Sequence, residues 1–145
     1  MPQASHSVTI HRSVEEVFAF VADGEKCPQW RPGVLDIKRV SGEGVGTIYS
    51  QGVKGPMGRR ISADYQLTTY DPNRLLEFQT ITGPARPRGR YEFEANDGAT
   101  RLTFSLSADV GGPLSFLMRP MVQRTMDSEV RMLERLKGVM EAQTA

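Results

Sequence analysis

The sequence predicts an α+β fold in which a curved antiparallel sheet packs against one long C-terminal helix. Three observations predict it. From Val34 to Val110 apolar and polar residues alternate with the period of half-buried strands. The interruptions are short and built from Gly, Pro, Asn, Asp and Ser, and short connections imply antiparallel neighbours. From Leu114 to about Met140 the period changes, and Met118, Val122, Met126, Val130, Leu133, Leu136 and Met140 lay one apolar stripe along a helix. Val122 to Met140 alone would span roughly 28 Å at about 1.5 Å per residue, which calls for a broad sheet beneath it.

The elements follow in order. Ser7 to His11 alternates like a short strand. Ser13-Val-Glu-Glu16 is a capping box that starts a helix with Val14, Val17, Phe18 and Val21 on one face, and Asp23-Gly24 ends it. Glu25 to Trp30 has room for a second short helix before Pro32-Gly33 turns the chain. Six strands are expected near residues 34–41, 46–54, 59–70, 74–82, 88–95 and 100–109. Ser41-Gly-Glu-Gly44, Gly55-Pro-Met-Gly58, Asp71-Pro-Asn73, Gly83-Pro84 and Asn96-Asp-Gly98 separate them, and Gly111-Gly112-Pro113 precedes the long helix. Pro120 lies inside that pattern. Either it begins the main helix afresh, leaving Phe116, Leu117 and Met118 as a lip opposite Trp30, or it sits harmlessly in a first turn.

At 145 residues the chain is expected to form one domain over residues 1–145, with a core that needs no staples. The single Cys27 excludes an internal disulfide, and no Cys and His cluster has zinc spacing, so no metal is expected. The glycine-rich turns lack phosphate-loop or dinucleotide spacing, and no cofactor is expected either. The N-terminus lacks a basic start followed by an apolar run, and no stretch reaches the length of a membrane span. A cytoplasmic protein without stable membrane insertion is the expectation. With 18 basic against 17 acidic residues the formal charge is +1, and no overall field attracts nucleic acid. A monomer or a homodimer is compatible with the sequence.

Several segments carry a resemblance that covers nearly the whole chain. They are Ser13-Val-Glu-Glu-Val-Phe18, Trp30-Arg-Pro-Gly-Val34, Gly44-Val-Gly-Thr47, Tyr70-Asp-Pro-Asn-Arg74, Gly89-Arg-Tyr-Glu-Phe93 and Gly98-Ala-Thr-Arg101. In order and spacing they resemble the START-like (SRPBCC, Bet v 1-like) superfamily of helix-grip proteins, in its polyketide cyclase/dehydrase and lipid-transport branch. The resemblance implies a curved seven-stranded antiparallel sheet gripping the C-terminal helix, and a cavity between them for a lipid, polyketide or other apolar molecule. It implies no particular reaction, because members of that superfamily include carriers, sensors and enzymes.

Alternation assigns the faces independently. Ile61, Ala63, Tyr65 and Leu67 point inward, as do Leu76, Phe78 and Thr80, Tyr91 and Phe93, and Leu102, Phe104 and Leu106. Near Tyr49 two inner sets compete, and the set Thr47, Tyr49, Gln51 and Val53 is favoured. The candidate ligand-binding residues are therefore Trp30, Tyr49, Tyr65, Phe78, Tyr91, Phe93 and Phe104, with Phe116, Met118, Val122 and Met126 from the helix. Each of these aromatics can equally fill an ordinary core. Two things favour a cavity: the tyrosine hydroxyls, each costing about 1 to 3 kcal/mol if buried dry, and the methionines, which repack around variable shapes.

Acid–base chemistry has few candidates. The inferred inner face offers no carboxylate. His6 and His11 fall on opposite faces of the first strand, and His6 reads as a strand-end residue near solvent. Cys27 has no base beside it. Arg86, Arg88 and Arg90 form an outer, solvated stripe, while Arg59 or Arg90 could meet a ligand carboxylate at a cavity rim. Three functions follow. The leading one is a binding protein for a small hydrophobic molecule. The second is a polyketide cyclase or dehydratase using cavity tyrosines, and the third is a protein-interaction module.

Overall fold

The computed structural model describes residues 3–83, 86–108 and 115–142, without the side chains of residues 56 and 115–118. The Gly111-Gly112-Pro113 break and the side chains proposed as a lip, Phe116, Leu117 and Met118, lie outside the described residues. The elements are β1 (Gln3–Ile10), α1 (Val14–Ala22), a 3-10 helix (Gly24–Gln29), β2 (Val34–Ser41), β3 (Ile48–Lys54), β4 (Arg60–Ser62), β5 (Tyr65–Asp71), β6 (Leu75–Thr80), β7 (Arg88–Asn96), β8 (Ala99–Ser107), α2 (Ser115–Val130) and α3 (Leu133–Ala142).

All strand pairs are antiparallel, in the order β1-β8-β7-β6-β5-β3-β2, with β4 added beside β3. The meander thus folds back so that the first strand pairs with the last. Seven strands form the continuous path, as the helix-grip resemblance implies. The eighth arises because the expected strand 59–70 breaks at Ala63-Asp64. There the Asp64 carboxylate accepts from the Gln51 backbone N–H at 2.9 Å, and the Thr82 hydroxyl accepts from the Asp64 N–H at 2.8 Å. Register shifts between Leu67 and Thr69 and within β2 bend the sheet.

Local signals explain the element ends. The Ser13 hydroxyl accepts from the Glu16 N–H at 3.2 Å and donates to its carboxylate at 3.0 Å, capping α1. Asp97 and Gly98, with φ of 50° and 83°, make the two-residue turn joining β7 to β8, a left-handed conformation that Asp-Gly adopts readily.

The C-terminal helix departs from its sequence reading. Pro120 lies within α2 rather than at a break, and the helix is interrupted instead at Arg131–Met132, where Met132 N–H turns back to Glu129 O at 3.0 Å. The interruption keeps the stripe in phase. Met126 and Val130 before it, and Leu133, Leu136 and Met140 after it, are all buried.

α3 runs alongside β1. His6 Nε2 lies 2.6 Å from the Glu134 carboxylate and His11 Nδ1 lies 2.7 Å from that of Glu141. Lys137 also donates to the Thr9 carbonyl. Strand parity places the two histidines on opposite faces, yet both meet α3, because β1 ends at Ile10 and releases His11 from the alternation. Both contacts join strand to helix.

Candidate ligand-binding site

The inner face of the sheet meets the 3-10 helix and α2 around a cavity of about 240 Å³. Its aromatic wall is Tyr65, Phe78, Tyr91 and Phe104, four of the residues that alternation points inward. Tyr91 and Phe104 stack with centroids 4.3 Å apart and planes 11° apart, and Phe78 bridges Tyr65 at 5.3 Å to Tyr91 at 6.1 Å. Leu67, Leu76 and Leu106 add to the apolar lining.

Gly89 is what lets Phe78 lie there. It pairs with Phe78 across β6 and β7, and a Cβ at Gly89 would overlap the edge of the phenyl ring. Gly89→Ala must push the ring aside and is expected to cost about 1 to 3 kcal/mol in denaturant unfolding, as overpacking does.

The other sequence candidates are placed elsewhere. Phe93 packs edge-on beneath α1 against Phe18, with centroids 5.0 Å apart. Tyr49 is buried behind Tyr65, stacked at 5.1 Å, and its hydroxyl donates to the Ala22 carbonyl at 3.3 Å. Trp30 is 1% exposed at the end of the 3-10 helix, and its indole N–H finds no acceptor among the described residues. Met126 belongs to the packed core and Val122 sits half-buried against it. Among the described residues, the face that α2 turns to the cavity is Thr125 and Glu129, one helical turn apart, and no methionine lines it. Phe116 and Met118 lie, as side chains, outside the described residues.

Sequence reasoning missed a polar cluster at one end of the cavity. Arg31 follows the 3-10 helix, its N–H bonded to the Cys27 carbonyl at 2.8 Å, so Cys27 and Arg31 both reach the cavity lining. The Arg31 guanidinium donates from Nε to Glu129 Oε2 at 3.2 Å and from Nη1 to Gln51 Oε1 at 3.2 Å, with Nη2 3.1 Å from Glu129. Gln51 in turn donates to the Ala63 carbonyl at 3.0 Å.

The expectation that no carboxylate faces the interior is therefore corrected. Glu129 comes from the helix, three residues after Met126, on the flank of the apolar stripe. Neither rim candidate lines the cavity. Arg90 stands on the outer face with its Nε 2.8 Å from Glu77, and Arg59 is exposed, while Arg31 is the arginine in the cavity wall. Two signals were available: Arg31 within Trp30-Arg-Pro-Gly-Val34, and Gln51 sharing parity with Tyr49 on an inward face.

Burial sets the protonation of this cluster. It pushes the Tyr65 and Tyr91 phenols and the Cys27 thiol upward, and the neighbouring Arg31 cation only partly offsets the effect. All three are neutral hydrogen-bond donors at physiological pH, so Cys27 is no thiolate nucleophile. Burial also acts against the Arg31 cation, but the charge of Glu129 leads the attractions that turn its net shift upward. Arginine stays charged. Such a wall can bind and orient an apolar molecule and donate hydrogen bonds to an oxygen on it.

Among the described residues no three His, Cys, Asp or Glu side chains group closely enough to hold a metal ion. No helix among them is long and apolar enough to cross a membrane.

Solved structures share this fold. Protein TTHA0849 from Thermus thermophilus superposes with a TM-score of 0.83 at 21% identity, over 99% of this chain and 100% of that one. A START superfamily protein from Mycobacterium smegmatis gives 0.81 at 19% identity, over 98% and 99%. The di-domain ARO/CYC StfQ of the steffimycin biosynthetic pathway gives 0.79 at 10% identity, over 96% of this chain and 50% of that one. At these identities the likeness is one of fold. No curated protein sequence matches the chain. Sequence does carry the family, since the profile described as polyketide cyclase/dehydrase and lipid transport matches residues 1–141. Grip and meander agree with that match, and the chain belongs to the polyketide cyclase/dehydrase and lipid transport family.

Proposed function

We propose that this protein is a cytoplasmic carrier or sensor, acting as one domain, that encloses a small hydrophobic molecule between the sheet and α2. The observation that carries the reading is the cavity itself, walled by Tyr65, Phe78, Tyr91 and Phe104 and closed at one end by neutral donors and a compensated ion pair. Apolar walls with a few convergent polar groups are the usual make-up of a small-molecule site. The family description, which includes lipid transport, supports the same reading.

Native mass spectrometry of protein purified from its own host, with thermal shift against a panel of lipids and aromatic compounds, tests it. A co-purifying species of a few hundred daltons, or saturable stabilisation by a panel member, is the expected result. At a hundredfold excess over Kd that stabilisation is about 2.7 kcal/mol. Absence of both overturns the reading.

A cyclase or dehydratase is the second reading. It is favoured by the Tyr65 and Tyr91 hydroxyls and Arg31 in one wall, which could polarise a ketone while the cavity holds the chain folded. Turnover of a polyketide mimic, lost in both Tyr65→Phe and Tyr91→Phe, would decide for it.

A further inference from the structure

We propose that the cavity selects an uncharged, planar molecule of one or two rings bearing an acceptor oxygen, and that the Arg31–Glu129 pair is what turns carboxylates away. This rests on the ligand-binding reading above and names the ligand class that reading leaves open.

Size comes first. An apolar cavity of about 150 Å³ holds one benzene ring. The 240 Å³ here suits one substituted ring or two fused rings, and it lies below the roughly 300 to 1,000 Å³ of drug-sized pockets. Shape comes second. The stacked pair Tyr91–Phe104 and the neighbouring Phe78 offer ring faces and edges, which flat aromatic partners match best.

Charge comes third, and it separates this site from a simple anion site. An arginine in a cavity wall ordinarily invites a carboxylate. Here the cation is already matched by Glu129, and Asp64 stands behind Gln51, holding the Gln51 backbone N–H. A carboxylate entering would be a second anion on one largely buried cation, and losing its hydration there costs more than it regains. Lys54, the other cation in the lining, is exposed at the end of β3, where water screens it. A neutral oxygen escapes the penalty. Glu129 and Gln51 occupy only part of the five guanidinium N–H groups, so Arg31 can still donate to a carbonyl or phenol oxygen, as can the protonated Tyr65 and Tyr91 hydroxyls.

The test uses two probes of the same shape, 2-acetonaphthone and 2-naphthoate, with dodecanoate as a long-chain control, each titrated at pH 7 by calorimetry. The wild-type protein is expected to bind the ketone at least about tenfold more tightly than the naphthoate. Glu129→Gln frees the Arg31 charge and should reverse that order. Equal or tighter binding of naphthoate to the wild type overturns the proposal, as does an unchanged ratio in a folded Glu129→Gln protein. The wild-type ratio decides alone if the variant does not fold. Binding of dodecanoate but of neither naphthyl probe sinks this inference and leaves the container intact. A chain that binds no member of any panel loses both.

Discussion

Arg31→Met is expected to destabilise the protein by about 2 kcal/mol in urea unfolding. Breaking a buried ion pair by removing one partner typically costs about 3 to 5 kcal/mol, because the remaining charge is left uncompensated. Glu129 keeps 34% of its side chain exposed, so water relieves part of that cost and the lower figure applies. The Gln51 side-chain carbonyl also loses its donor. Adding Glu129→Leu to Arg31→Met should return stability to within about 1 kcal/mol of wild type, since apolar replacements of a buried pair are often neutral. If the single variant loses less than about 0.5 kcal/mol, the pair is effectively a surface one, and its proposed control of ligand charge weakens with it.

Leu136→Ala is expected to cost more, about 3 kcal/mol, and to lower Tm by roughly 6 to 12 °C for a chain of this size. Leu136 has 0% exposure and lies on α3, in one core with Leu133 and Met140. Truncation removes contacts from an interior that relaxes only partly around the void. The polar ties of the same helix should matter far less. Glu134→Ala breaks the contact with His6 at a site where the glutamate is 59% exposed, and a change within about 1 kcal/mol is expected. Were Glu134→Ala the more damaging of the two, the helix would be held by its ionic rim and not by its stripe. Scanning calorimetry on both variants separates the cases.

These two variants also mark where sequence reasoning reached and where it stopped. Leu136 was legible because a helix stripe and its burial are local consequences of a 3.6-residue period. The inward faces of β5 to β8 were legible for the same kind of reason, since alternation leaves Tyr65, Phe78, Tyr91 and Phe104 no other side. Where regularity failed, so did the reading. Asp64 breaks β4 from β5 by capturing the Gln51 N–H, a partner thirteen residues away on another strand, and side-chain periodicity carries no signal of that pairing. His11 escapes the alternation of β1 because the strand has ended.

Arg31 follows the 3-10 helix, Gln51 lies on β3 and Glu129 on α2, 20 and 98 residues from Arg31 along the chain. Each taken singly reads as an ordinary polar residue. Only the grip, which lays α2 next to the 3-10 helix and the inner face of the sheet, brings Gln51 to 3.2 Å and Glu129 to 3.1 Å from the Arg31 guanidinium and commits the cation to a carboxylate.

By itself, then, the sequence determined the class of fold, the order of its elements, the family and the aromatic inner face, because periodicity and turn chemistry act over a few residues. Tertiary structure decided the rest: which aromatics line a space and which pack beneath α1, and which arginine enters it. It also decided that the arginine arrives already neutralised. Those are questions of distance between remote segments, and hydrophobic patterning, being non-directional, brings such segments together without specifying which polar groups meet.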